Sequence, residues 1–102
     1  MKIVAVTACP AGIAHTNMAA SAIENAAKKR GIEIKVEKQG ALGLQNEITS
    51  KDIEEADVAI LSVATKVEKE SRFDSLPVYK VKIDETLKNP EKVIEDALKL
   101  IK

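Results

Sequence analysis

Two short apolar runs constrain the fold of this chain more than any other feature. Residues Ile3 to Thr7 are apolar or β-branched, Val58 to Leu61 are all apolar, and no charged residue interrupts either run. A strand of this kind has no polar face, so both of its faces must be covered, as happens in parallel sheets with helices on either side. We therefore predict that both runs are central strands of an α/β domain.

Two further segments have the pattern of less buried strands. Residues Ile32 to Lys38 alternate apolar and charged side chains, which predicts a half-exposed edge strand with Glu37 on its exposed face. Residues Val78 to Val81 follow Pro77, and a leading proline suits the opposite edge of the sheet.

Helical spacing and end signals place the helices between these strands. Apolar residues recur at helical spacing from Thr16 onward, basic residues fill the last turn, and Gly31 supplies the stop. Asn89 followed by Pro90 predicts the start of a last helix. A short helix over residues 52–56 has Thr49 or Ser50 as its candidate cap, and residues 64–76 are predicted to be a loop with at most one helical turn.

Four strands alternating with helices predict one α/β domain over residues 1–102, with a four-stranded parallel sheet and helices on both faces. Right-handed crossovers favour the strand order 2-1-3-4, numbered along the chain, in a Rossmann-like arrangement. In that order the loops after the first and third strands lie side by side at the switch point, where such folds bind ligands.

Composition excludes several classes of function. Sixteen basic and sixteen acidic residues cancel, and the chain has one tyrosine, one phenylalanine and no tryptophan. This composition predicts no nucleic-acid partner, and because no stretch approaches the roughly 20 apolar residues of a membrane helix, we expect no direct insertion into a membrane. One cysteine forms no internal disulfide and predicts neither a metal site nor a cofactor, so we expect a reducing, cytoplasmic compartment.

The loop after the first strand carries the chemistry. It contains the only cysteine and the only histidine of the chain, within the stretch Cys9, Pro10, Ala11, Gly12, Ile13, Ala14, His15 and Thr16. A strand that turns through a glycine-containing loop into a helix directs backbone N–H groups and the positive end of the helix dipole at one point, which favours an anion. The same groups stabilise the Cys9 thiolate, so the loop is predicted to be a phosphate-binding loop with a nucleophile at its entrance.

Individual roles in the loop follow from side-chain chemistry. Gly12 lets the backbone approach a phosphate closely, although a turn glycine needs no function. His15 is interpreted as orienting the loop or donating to phosphate rather than as a general base. Thr16 either caps the helix through its hydroxyl or donates to phosphoryl oxygens. Arg72, next to Phe73, is interpreted as a surface residue rather than one that reaches the crevice, and Gly40, Gly43 and Asn46 are interpreted as turn formers.

The stretch from Cys9 to Ala20 resembles the active-site signature of the fructose-type IIB component of the bacterial sugar phosphotransferase system (PTS). The resemblance continues through Glu37 to Gly40 and through Arg72-Phe73, although Ala11 stands where the family usually has threonine. It implies a phosphotransferase in which Cys9 accepts a phosphoryl group from a histidine of the IIA component. The phosphocysteine then passes it to sugar bound by the membrane-embedded IIC component, which would hold this domain at the inner face of the membrane.

Two alternatives remain open at the level of sequence. A tyrosine-phosphatase-like site also begins a phosphate loop with cysteine, but it needs an arginine six positions later, and this chain has His15 there. A non-covalent anion- or nucleotide-binding module is the other, although neither common glycine-rich nucleotide motif is present. A redox function is weaker still, because no second cysteine is available.

Overall fold

The computed structural model describes residues 1–8, 13–40, 43–63, 67 and 69–101. Its strands are β1 (Lys2–Ala8), β2 (Glu33–Gly40), β3 (Gly43–Gln45), β4 (Val58–Val63) and β5 (Val78–Val81). Its helices are α1 (Ile13–Lys29), α2 (Ser50–Glu55), α3 (Ile83–Lys88) and α4 (Pro90–Leu98), with a short 3₁₀ helix at Glu70–Phe73. No helix in this described part of the chain is long and apolar enough to cross a membrane.

The sheet has five strands in the order β3-β2-β1-β4-β5. The four strands expected from the sequence, β2, β1, β4 and β5, are parallel neighbours in the expected order. The prediction of a four-stranded, purely parallel sheet is nevertheless wrong, because β3 adds an antiparallel edge next to β2, with Gly43 in register with Gly40. Gly43 has a positive φ of 88°, which glycine adopts without strain. β2 is therefore an interior strand and not the predicted edge.

Each face of the sheet buries its own apolar core. On one face, Ile3, Ala5 and Ile60 pack with Ile23 of α1 and Ile94 of α4. On the other face, a second cluster lies under α2 and the 3₁₀ helix and includes Val4, Val6, Leu61, Ile48 and Phe73. Successive residues of β1 thus alternate between two covered faces, as predicted for a central strand.

Local end signals fix several helix boundaries. Thr49 caps α2 in a capping box: its hydroxyl accepts from the Asp52 backbone N–H, while the Asp52 carboxylate accepts from the Thr49 N–H. The Asn89 side chain accepts from the Lys92 N–H at the start of α4. Both starts were predicted, whereas α3 was not, because its six residues are too few to show a helical repeat.

Candidate functional site

The candidate site lies at the carboxyl edge of the parallel strands. The last residue of β1, Ala8, is in register with Val63 at the end of β4 and with Gln39 near the end of β2. The chain crosses from β2 over β1 to β4, so the strand order reverses at β1 and β4, where open α/β sheets bind ligands. The predicted adjacency of the ends of the first and third parallel strands is confirmed.

The predicted phosphate loop begins directly after β1. Cys9, Pro10, Ala11 and Gly12 lie outside the described residues, whereas α1 begins at Ile13. α1 is 17 residues long and has no acidic residue in its first turn. The positive end of its dipole is therefore not neutralised from within the helix at the point where the loop joins it.

The first turns of α1 present different side chains to solvent and to the interior. Ala14 and His15 are exposed, as is Met18, which is 56% accessible. Thr16 points inward and is buried. The predicted capping role of Thr16 is wrong, because α1 begins three residues earlier and an N-cap residue must lie outside the helix.

Four buried hydroxyl groups lie on the α1 face of the sheet. Ser62 on β4 and Thr86 on α3 are fully buried, and their oxygens are 2.5 Å apart, within hydrogen-bond distance. Thr7 on β1 is also fully buried, and Thr16 is 4% accessible. Within the described ranges, neither the Thr7 nor the Thr16 hydroxyl oxygen has a hydrogen-bond partner.

The opposite face carries a buried ion pair that sequence reasoning missed. The Glu37 carboxylate is completely buried, and the Arg72 side chain is only 15% exposed. The two Arg72 terminal nitrogens donate to the two Glu37 oxygens at 2.7 and 2.5 Å, a bidentate geometry. The guanidinium also lies over the Phe73 ring, 4.7 Å from its centroid. The predictions of an exposed Glu37 and a surface Arg72 are therefore both wrong.

Glu37 also accepts hydrogen bonds from its own strand and from the segment that precedes α2. Its carboxylate accepts from the Gln39 side-chain amide at 2.7 Å and from the Ile48 backbone N–H at 2.9 Å. Arg72 in turn donates to the Ile48 carbonyl at 3.3 Å. Because Gln39 is in register with Ala8, this network extends to the strand end beside the predicted phosphate loop.

These contacts determine the protonation state of Glu37. Burial by itself raises the pKa of a carboxyl group, since it penalises the charged form. Hydrogen bonds from Arg72, Gln39 and the Ile48 N–H more than offset burial, so the pKa of Glu37 lies below its ordinary value of 4.5. Glu37 is thus an anion at neutral pH whose charge is compensated by Arg72.

Of the three predicted turn formers, Gly40 ends β2 and Gly43 begins β3, so these two lie in strands rather than in a loop. Gly43 and Asn46 both have positive φ angles. The Asn46 side chain donates to the Val36 carbonyl at 3.0 Å, which fixes the return of the chain after β3.

No local signal in the sequence predicts the Glu37–Arg72 pair. The two residues are 35 positions apart, and alternation along β2 shows only that Glu37 faces away from Val36. Its burial depends on the segments that cover that face, α2 and the 3₁₀ helix, and on β3, which makes β2 an interior strand and which the sequence did not predict.

Comparison with known proteins matches this chain to IIB components of the PTS, and the matches name different sugars. The family model described as the lactose/cellobiose-specific IIB subunit of the PTS matches residues 4–96. The PTS system fructose-like EIIB component 2 of Escherichia coli K12 is 46% identical over 93 residues, covering 91% of this chain and 88% of the relative. The fructose-like EIIB component 1 of the same strain is 45% identical and covers 98% and 93%.

Solved structures agree with the sequence comparison. A domain of the fructose-specific IIABC component from Borrelia burgdorferi superposes with a TM-score of 0.91 at 47% identity, covering 96% of this chain and 93% of that one. The Enzyme IIB subunit of the PTS from Escherichia coli K12 gives a TM-score of 0.89 at 44% identity, covering 97% and 92%.

Proposed function

Because the chain belongs to the PTS IIB family, we propose that it is a phosphocarrier that transfers a phosphoryl group through Cys9. The observation that carries the proposal is the position of α1. Its amino end follows β1 by four residues at the switch point of the sheet, with no acidic residue in its first turn. An anion bound there is stabilised by the dipole and the unpaired N–H groups of the helix.

The proposed transfer has two balanced steps. In the first, the Cys9 thiolate attacks the phosphorus of a phosphohistidine on a IIA component whose second ring nitrogen is protonated, so that an S–P bond forms while the N–P bond breaks and neutral imidazole, which keeps that proton, leaves. In the second, a sugar hydroxyl on the IIC component attacks the same phosphorus. The S–P bond breaks, the thiolate returns, and a base beside the sugar takes the hydroxyl proton. The helix dipole stabilises both the thiolate and the phosphorylated state.

Loop roles follow from this chemistry. We propose that Pro10, Ala11, Gly12, Ile13 and Ala14 supply backbone around the phosphoryl group, with side-chain help from His15 and Thr16. The similarity to fructose-like EIIB components supports fructose or a related sugar as the final acceptor. We also propose that the domain works in the cytoplasm and meets the membrane through its IIC partner.

Phosphoester hydrolysis is disfavoured by the placement of Arg72. A cysteine phosphatase uses a permanent arginine clamp on the phosphoryl oxygens. Arg72 instead directs both terminal nitrogens to Glu37, and the position six residues after Cys9 is occupied by His15.

Intact-mass spectrometry tests the proposal directly. We expect one added phosphoryl group after incubation with phosphoenolpyruvate, the general carrier proteins of the system and a IIA component, and none on Cys9→Ser. Serine provides no thiolate for the helix end to stabilise, so the variant removes the nucleophile with little change in shape. Label retained on Cys9→Ser would move the acceptor to another residue, His15 first. Cys9-dependent turnover of an aryl phosphate by the isolated protein would instead indicate a phosphatase.

A further inference from the structure

Two buried hydroxyl groups bracket the segment that carries Cys9. Thr7 is the penultimate residue of β1, and Thr16 lies in the first turns of α1. Both side chains are more than nine-tenths buried, and neither hydroxyl has a hydrogen-bond partner among the described residues. Since most buried polar side-chain atoms in native proteins are paired, two such groups at the ends of one loop require an explanation.

Both groups lie in the layer between the sheet and α1. Ile3 and Ala5 of β1 belong to the core under α1, while Val4 and Val6 belong to the opposite core, so strand alternation directs Thr7 to the α1 side. Thr16 is buried on the same helix as Ala20 and Ile23, members of that core.

The neighbouring hydroxyl pair shows that this layer is able to satisfy its polar groups. Thr7 is in register with Ser62, and Ser62 is hydrogen-bonded to Thr86. All three residues are completely buried, yet only Thr7 is left without a partner. The difference between Thr7 and its neighbours is its position two residues before Cys9.

We propose that the Thr7 and Thr16 hydroxyls donate hydrogen bonds to the phosphoryl group carried on Cys9. This proposal rests on the proposed phosphocysteine function. It extends that function by assigning a phosphate contact to Thr7, which precedes the loop. Cys9 is two positions after Thr7, and two residues of any chain span at most about 7 Å, so an adduct on Cys9 is able to approach the Thr7 hydroxyl. A phosphoryl group brings three strong acceptor oxygens, enough for both hydroxyls and for backbone N–H groups.

Substitution of threonine by valine distinguishes a hydroxyl that binds a ligand from one that stabilises the fold. In the unphosphorylated protein, Thr7→Val and Thr16→Val should leave the melting midpoint unchanged or raise it, because an unpaired buried hydroxyl is replaced by a methyl of similar size. In phosphoryl exchange with a IIA component, each variant should lower the equilibrium constant for phosphorylation by about tenfold, the effect of about 1.4 kcal/mol lost from a hydrogen bond to a charged group. Thr7→Ser retains the hydroxyl and should restore most of this loss.

Thr86→Val is the matched control. Thr86 is as buried as Thr7, but its hydroxyl is paired with Ser62. The variant should lower the melting midpoint of the phosphorylated and unphosphorylated forms equally and leave the exchange equilibrium unchanged. The same behaviour in Thr7→Val would overturn the proposal, as would an exchange equilibrium unaffected by either threonine variant.

A titration with inorganic phosphate distinguishes this proposal from the proposed function. Amide signals from the first turn of α1 should shift on addition of phosphate to the unmodified protein, and the shift should require higher phosphate in Thr7→Val. If Cys9 is not phosphorylated but this Thr7-dependent shift occurs, the proposed phosphocarrier function is wrong. The proposed hydrogen bond from Thr7 to a bound anion is then still supported. If Thr7→Val and the wild type titrate at the same phosphate concentration, the proposed contact between the Thr7 hydroxyl and phosphate is wrong, whether or not Cys9 is phosphorylated.

Discussion

The Glu37 carboxylate and the Thr7 and Thr16 hydroxyls are buried on opposite faces of the central sheet, and they differ in their hydrogen bonding. On the face under α2 and the 3₁₀ helix, the Glu37 carboxylate accepts four hydrogen bonds, two of them from Arg72. On the α1 face, the Thr7 and Thr16 hydroxyls make none with the described part of the chain. Both clusters lie near the carboxyl edge, on either side of the strand that leads to Cys9.

This difference separates a structural role from a binding role. A buried charge is tolerated only when it is paired and hydrogen-bonded, and the Glu37 network meets that condition within the protein. A buried hydroxyl without a partner costs about 1–3 kcal/mol, and that cost is relieved when a ligand accepts the bond. We therefore expect the Glu37–Arg72 network to contribute mainly to the stability of the fold, and the Thr7 and Thr16 hydroxyls to bind phosphate.

Breaking the ion pair should give the largest effect. Arg72→Met leaves the Glu37 carboxylate buried without its cation, which costs about 3–5 kcal/mol of unfolding free energy. Urea unfolding followed by circular dichroism measures this change. The matched control is Lys80→Met, because the Lys80–Glu70 ion pair is exposed, and its loss should cost less than about 1 kcal/mol. If the two variants lose equal amounts of unfolding free energy, the buried ion pair contributes no more to stability than the exposed one.

Phosphorylation should give an intermediate effect, confined to the α1 face of the sheet. An anion at the start of α1 forms charge-assisted hydrogen bonds and complements the dipole, contributing about 1–3 kcal/mol. Each kcal/mol raises the melting midpoint of a domain this size by about 4–8 °C, which calorimetry detects. Hydrogen exchange should slow at the first turn of α1, whereas the Ile48 amide, already bound to Glu37, should gain no more protection than global stabilisation gives. If phosphorylation slowed hydrogen exchange more at the Ile48 amide than at the first turn of α1, the expectation that phosphate acts on the α1 face would be wrong.

The pH dependence of stability should give the smallest effect. Because the pKa of Glu37 is lowered on folding, the unfolded state binds more protons between the folded pKa and about 4.5, and stability rises with pH in this window. The contribution is complete above that window and is lost as the pH falls through the folded pKa. The pKa of Asp52 is also lowered, first by the Lys35 hydrogen bond, so Glu37→Gln should flatten the acid dependence only in part.

Urea titrations at several acidic pH values test this expectation. Thr86→Val serves as the comparison, since it loses a hydrogen bond without losing a carboxylate and should keep the wild-type slope. A Glu37→Gln slope as steep as that of the wild type would mean that the carboxyl group does not change its proton affinity on folding.

Local rules explain the parts of the fold that the sequence predicted well. Thr49 and Asn89 act as caps through side chains that bond to backbone three residues away, so no distant contact is needed to identify them. The sequence pattern places the start of α1 at Thr16, because threonine is a typical cap residue, whereas the helix begins three residues earlier, at Ile13. Short elements were missed for a related reason: neither β3 nor α3 is long enough to establish a period.

The sequence by itself determined the four parallel strands and their order, because apolar periodicity is visible in consecutive residues and crossovers between parallel strands are almost always right-handed. Only the tertiary structure decided that Glu37 is buried against Arg72 and that the Thr7 hydroxyl is left unpaired beside a paired Ser62. Those outcomes depend on which side chains meet across the two helix layers. Burial and pairing are set by neighbours in space, and residues far apart in the chain supply them.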